Sequence, residues 1–219
     1  MGRIRRYDES NDIHILKKED GSEVPVNVFA GVDPATDSTR RGSDYSVILV
    51  VAVDAFNNVY VVDYIRKRSL SVLGIPGEDK KGIVDHIFDY NKIYKPMLFT
   101  IEDTTMSKPV FQSLVAEMRR MNDFTVKYVA EKPGTRMSKR DRIQEILAQR
   151  FAIGSVHLKK TQYDLQHEIL TFGPRMGHDD AIDALAYACK HAHPPNGVSE
   201  GREGTFIKQR PKVKSWVVA

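Results

Sequence analysis

The chain has 219 residues, 41% apolar and 28% charged, which suits one large domain or one domain with extensions and excludes a chain too polar to bury a core. Its longest apolar run, residues 47–53, is too short to span a bilayer, and the arginines of MGRIRRYDES have no apolar segment behind them to make a signal peptide. A single cysteine, Cys189, excludes an internal disulfide and a cysteine zinc site, and a net charge of +4 permits nucleic-acid binding without requiring it.

Residues 1–25 are polar and charged and read as an N-terminal arm or linker. Within them, residues 13–16 and 24–28 flank a turn at Asp20-Gly21 and suit a hairpin. Residues 26–32 alternate with a strand period and run into Asp33-Pro34. Pro34 cannot continue a ladder and biases Asp33 toward extended backbone, so the Asp33 carboxylate is set at a strand end. After a polar loop, residues 46–53 are β-branched and apolar without alternation, which predicts a strand covered on both faces. A turn at Phe56-Asn57-Asn58 and a strand over 59–65 complete an antiparallel meander.

Residues 80–90 carry Ile83, Ile87 and Tyr90 at helical spacing. Residues 97–101 form a short apolar strand that runs straight into Glu102-Asp103. Ser107 is placed to cap the next helix, with Pro109 in its first turn. A further strand is expected over 124–129. Residues 131–142 read as a basic loop feeding a helix that buries Ile143, Ile146 and Leu147. A short extended piece over 154–158 and an amphipathic helix over 162–171 follow. Residues 194–219 are rich in Gly, Ser and Lys, and a disordered basic tail is expected there.

The run GHDDAIDALAYA, residues 177–188, draws these elements together. Gly177 breaks the preceding structure, and Asp179 or Asp180 is placed to cap and charge a first turn. The helix that follows is apolar nearly all round, as buried helices are. Asp180, Asp183 and Tyr187 share one stripe of it. A buried carboxylate is costly unless paired, hydrogen-bonded or bound to metal, so Asp183 is either a satisfied core group or part of a site. The rest of the chain favours the site. Asp33, Glu102 or Asp103, and Asp179 or Asp180 with Asp183 lie at the ends of separate elements of a mixed α/β domain. Carboxylates without cysteines or paired histidines suit hard cations, Mg²⁺ or Mn²⁺, and two such ions suit phosphodiester hydrolysis. His178 reads as a helix-entry residue. Lys132, Arg136, Lys139, Arg140 and Arg142 are candidates to track DNA phosphates beside the acids.

Gly31-Val32-Asp33-Pro34-Ala35, the meander, Ile101-Glu102-Asp103 and the run LQHEILTFGPRMGHDDAIDALAYA together resemble the nuclease domain of tailed-phage large terminase subunits. The resemblance covers about residues 26–192. It implies an RNase H-like fold, a central mixed sheet with a three-strand antiparallel meander flanked by helices, related to RuvC-type resolvases. It implies a metal-dependent endonuclease that cuts concatemeric viral double-stranded DNA during packaging in the host cytoplasm. On the matched motifs, Asp33, Glu102 and Asp180 would be the catalytic metal ligands and Asp183 a further or supporting one. Asp103 competes with Glu102, and Asp179 with Asp180, because side-chain parity is not fixed by sequence. The partners implied are a packaging ATPase domain, the portal and the small terminase subunit. No GxxxxGK[ST] loop is present, so residues 1–25 are expected to lead from an ATPase domain outside this chain. A structure-specific junction nuclease and a non-catalytic docking module of the packaging motor are the alternatives.

Overall fold

The computed structural model describes residues 4–8, 13–35, 45–68, 70–75, 77, 80–105, 107–134, 137–173 and 178–195. In chain order they form β1 (Ile4–Asp8), β2 (Ile13–Lys17), β3 (Glu23–Asp33), β4 (Tyr45–Asp54), β5 (Val59–Arg68), α1 (Ile83–Tyr94), β6 (Leu98–Glu102), α2 (Lys108–Met121), β7 (Tyr128–Glu131), α3 (Lys139–Ala152), β8 (Val156–His157), α4 (Tyr163–Thr171) and α5 (Asp180–Lys190). Arg136, Gly177 and the tail after residue 195 lie outside the described residues. No helix among them is long and apolar enough to cross a membrane.

The sheet is built on β3. One edge of β3 runs antiparallel to β4, from Val26 opposite Asp54 to Asp33 opposite Val47. The other edge is divided. Residues 23–26 pair antiparallel with β2, as the hairpin around Asp20-Gly21 requires, and residues 29–32 pair in parallel with β6. β4 continues antiparallel into β5, which completes the expected meander, and β7 and β8 add in parallel to β6 and β5.

Strand parity divides the core into two layers. Val28, Ala30 and Val32 face α1 and α2 together with Ile48, Val50, Phe99 and Ile101. Phe29 faces α3, α4 and α5 with Val47, Leu49, Val51 and Val61. β4 is covered on both sides, hence its unbroken apolar run. Asp33 follows the parity of Phe29 and Gly31, so its side chain is on the α5 face.

Gly31 sets how close α5 comes. A Cβ at this position would collide with the Ala184 carbonyl oxygen and the Ala188 amide nitrogen, so only glycine admits the α5 backbone here. The small residues Ala181, Ala184 and Ala188 complete that approach from the helix side and are fully buried. The second and third turns of α5 are thereby pressed against β3 at Gly31, two residues from Asp33.

Three local expectations shift. The strand expected over 124–129 begins only at Tyr128. Before it, the Asp123 carboxylate accepts the Thr125 amide and hydroxyl, which holds a turn and leaves Phe124 exposed. The helix expected over 80–90 begins at Ile83 and continues to Tyr94, because Asp85 reaches back to the Gly82 amide and Lys95 closes the helix in a left-handed conformation, φ 44°. Ser107 stands at the start of α2, but its hydroxyl turns back to the Thr104 amide and carbonyl instead of capping the helix.

Candidate active site

The pairing register brings the acids together. Val32 lies opposite Ile101 in the parallel β3–β6 pair, so the next residues, Asp33 and Glu102, are neighbours on one face. Phe99 and Ile101 point to the opposite core, which gives Glu102 rather than Asp103 to the α5 side. Asp103 instead continues the β6–β7 ladder, donating its amide to the Glu131 carbonyl. Across the sheet the same row continues through Val47 on β4 to Arg66 on β5.

α5 supplies the remaining carboxylates from its N-terminal end. Asp180, its first residue, is buried and accepts the Tyr45 amide at 3.2 Å. Asp183 is wholly buried, and one Arg142 Nη2 donates to both of its oxygens at 2.7 and 2.8 Å. The same guanidinium nitrogen lies 3.8 Å from Glu102 Oε1, which also accepts the Tyr187 hydroxyl at 2.9 Å. Tyr187 packs its ring against the Arg142 guanidinium, 4.7 Å from the centroid. Asp179 is the helix-capping residue by position, but it makes no capping bond and its carboxylate meets Lys139 at 2.9 Å.

The open amides at the start of α5 are taken by a residue to which sequence reading gives no role. Glu168 on α4 accepts the Ala181 and Ile182 amides through one oxygen, at 2.8 and 2.9 Å. Its other oxygen lies 3.1 Å from Arg66. Burial pushes the Glu168 carboxyl up to about 7, against the Ile182 amide and Arg66, which pull it down. Its sequence signal was its place in LQHEILTF. Its task depends on α4 packing against α5, which no spacing reveals.

Burial also carries the Asp33 carboxyl well above the ordinary range. Lys139 opposes this shift, while the charges of Asp183, Glu102 and Asp180 add to it. Burial pulls Lys139 down, but Asp33, Asp183 and Asp179 outweigh it and raise its pKa. This corner of the molecule is therefore a pool of negative charge that draws in cations. Its donor set is carboxylate oxygen, from the end of β3, the end of β6 and the first turn of α5. That chemistry fits a hard divalent ion. As the side chains stand, no three acids or imidazoles among the described residues are spaced to hold one.

The proposed DNA-tracking cations divide. Lys132 and Arg140 are exposed, whereas Lys139 and Arg142 turn inward onto the acids, and Arg136 lies outside the described residues. His178 stands 3.9 Å from Asp180 and edge-on to the Tyr45 ring.

No curated protein matches the chain. Among solved structures it is similar to RuvC of T. thermophilus in complex with a Holliday junction substrate, at 17% identity and a TM-score of 0.41, covering 75% of this chain and 92% of that one. It is also similar to the yeast mitochondrial Holliday junction resolvase Ydc2, at 8% identity and a TM-score of 0.46, covering 73% and 75%. The fowlpox virus Holliday junction resolvase matches at 12% identity and a TM-score of 0.41, covering 74% and 93%. The family model for the Terminase RNaseH-like domain matches residues 30–192, the stretch that carries the whole carboxylate cluster. The chain belongs to the Terminase RNaseH-like domain family, and its sheet and flanking helices are an RNase H-like fold.

Proposed function

We propose that this chain is the nuclease domain of a phage large terminase, cutting concatemeric double-stranded DNA during genome packaging in the host cytoplasm. The observation that carries the reading is the gathering of Asp33, Glu102, Asp180 and Asp183 at one corner of the sheet, within the stretch matched by the family. Asp33, Glu102 and Asp180 would hold Mg²⁺ or Mn²⁺, with Asp183 behind them. Such ions supply Lewis-acid activation of water and of the phosphodiester.

The chain's own groups orient those ligands. The Tyr187 hydroxyl holds Glu102, the Tyr45 amide holds Asp180, and Arg142 keeps Asp183 from turning. Glu168 fixes the turn that carries Asp180 and Asp183. Lys132 and Arg140, both exposed, would meet backbone phosphates, contacts that carry little sequence information and suit an enzyme cutting many sequences. Within the packaging machine, this domain would act beside an ATPase domain, the portal and the small terminase subunit, joined ahead of β2, which with the start of β3 is part of the sheet.

Plasmid nicking in Mn²⁺ tests the reading. Asp33→Asn and Asp180→Asn are each expected to abolish it while the circular dichroism spectrum stays that of the wild type. Cleavage at the wild-type rate by either variant would remove that residue from the site. Preference for a four-way junction over linear duplex would replace the packaging role with junction resolution.

A further inference from the structure

Lys139 lies inside the carboxylate cluster, against Asp33 of the three proposed ligands and against Asp183 and Asp179 beside Asp180. Its ammonium lies 2.9 Å from Asp179 Oδ1, 3.1 Å from Asp183 Oδ2 and 3.5 Å from Asp33 Oδ2. A surface lysine in a casual ion pair takes one carboxylate and stays in water. This ammonium is shared by three, from the end of β3 and the start of α5, and it reaches them from the first residue of α3. The placement is built in. The Ser138 hydroxyl caps α3 by accepting the Asp141 amide, which fixes where the helix begins. Arg142, three residues on and so on the same face, grips Asp183. Arg140, off that face, is exposed.

We infer that Lys139 is the resident counter-ion of the carboxylate site, and that a divalent cation binds there only by displacing its ammonium. The inference rests on the reading of this corner as a divalent-ion site. An ammonium carries a full positive charge and no acceptor, and at 2.9 to 3.5 Å it sets that charge against three carboxylates at once, Asp33 among them, whose oxygen an ion would also need. Two cations cannot share those oxygens in a half-buried place without strong repulsion. The acids are spaced around that ammonium, and among the described residues no three acids or imidazoles are spaced around a metal. The long stem of Lys139 lets the charge withdraw by rotamer change while Arg142 holds α3 in place. The chain is thereby relieved of part of its own carboxylate repulsion until an ion arrives, and ion binding is weakened by the competition.

The test uses the whole chain and Mn²⁺ alone, without DNA. Acylation by an N-hydroxysuccinimide ester, mapped by mass spectrometry, reports access to each lysine. Lys139 is expected to be protected without the ion and labelled at saturating Mn²⁺, while exposed Lys132 labels equally in both. Calorimetry then compares the wild type with Lys139→Met, which removes the charge, and Lys139→Arg, which keeps it. Lys139→Met is expected to bind Mn²⁺ about tenfold more tightly, and Lys139→Arg no more tightly than the wild type. Unchanged labelling of Lys139, or equal affinity in the wild type and Lys139→Met, overturns the inference and leaves the ion site standing. A wild type that binds no Mn²⁺ at millimolar concentration overturns the inference and the reading of the site together. If Lys139→Met does not fold, the wild-type labelling decides.

Discussion

Asp183 has no exposed surface and takes both of its charged partners, Lys139 and Arg142, from the first turn of α3. A buried ion pair adds little over apolar residues of the same volume, but removing Arg142 takes the donor to both Asp183 oxygens and leaves the buried charge to Lys139 alone. Arg142→Ala is therefore expected to lower unfolding stability by about 3–5 kcal/mol. Arg140→Ala, on the exposed side of the same turn, should stay within roughly 0.5 kcal/mol of the wild type. Denaturant titration of the two variants checks this, and equal losses would show that the Asp183 pair does not hold the site. Both arginines looked alike in sequence, as members of one basic run. The difference lies in the helix start at Ser138. Once α3 begins there, Lys139 and Arg142 share a face, and Arg142 adjoins the buried Ile143 and Leu147. Reading residues 131–142 as loop hid that periodicity.

α5 shows how far element-level reading reaches. Its burial, its acidic first turn and the shared stripe of Asp180, Asp183 and Tyr187 follow from composition and spacing alone. The choice of Glu102 over Asp103 does not, because parity in β6 is set by pairing with β3 and by the α1 and α2 core behind Phe99 and Ile101. The anchoring of α5 by Glu168 is equally non-local. It carries a pH signature. Glu168 has a folded-state pKa of about 7, against an ordinary 4.5, so the folded chain holds that proton more tightly. The corresponding stability is complete below pH 4.5 and is lost as pH rises through 7. Glu168→Gln lacks the proton. The stability of the wild type minus that of Glu168→Gln should fall across this window, by at most about 3 kcal/mol. Denaturant unfolding at a series of pH values measures it. A difference that does not vary with pH would mean that Glu168 is ionised throughout and that its caps alone matter.

The whole fold works against its own electrostatics at one corner. The β3–β6 pairing and the close approach of α5 at Gly31 bury Asp33 beside acids from distant parts of the chain, and burial first, then those charges, make it resist ionisation. An ion that binds the folded chain there and not the unfolded one must stabilise it by mass action, by about 2.7 kcal/mol at a hundred times its dissociation constant. For a domain of this size, that corresponds to a rise in Tm of roughly 5–10 °C. Asp33→Asn is expected to reverse the order. Without ions it should melt at or above the wild type, since the costly charge is gone. At saturating Mn²⁺ it should melt below the wild type, since the ligand is gone too. Crossing melting curves would tie the ion to the same carboxylates that strain the empty fold. An equal rise in both proteins would place Mn²⁺ elsewhere on the surface and separate the strain at Asp33 from catalysis.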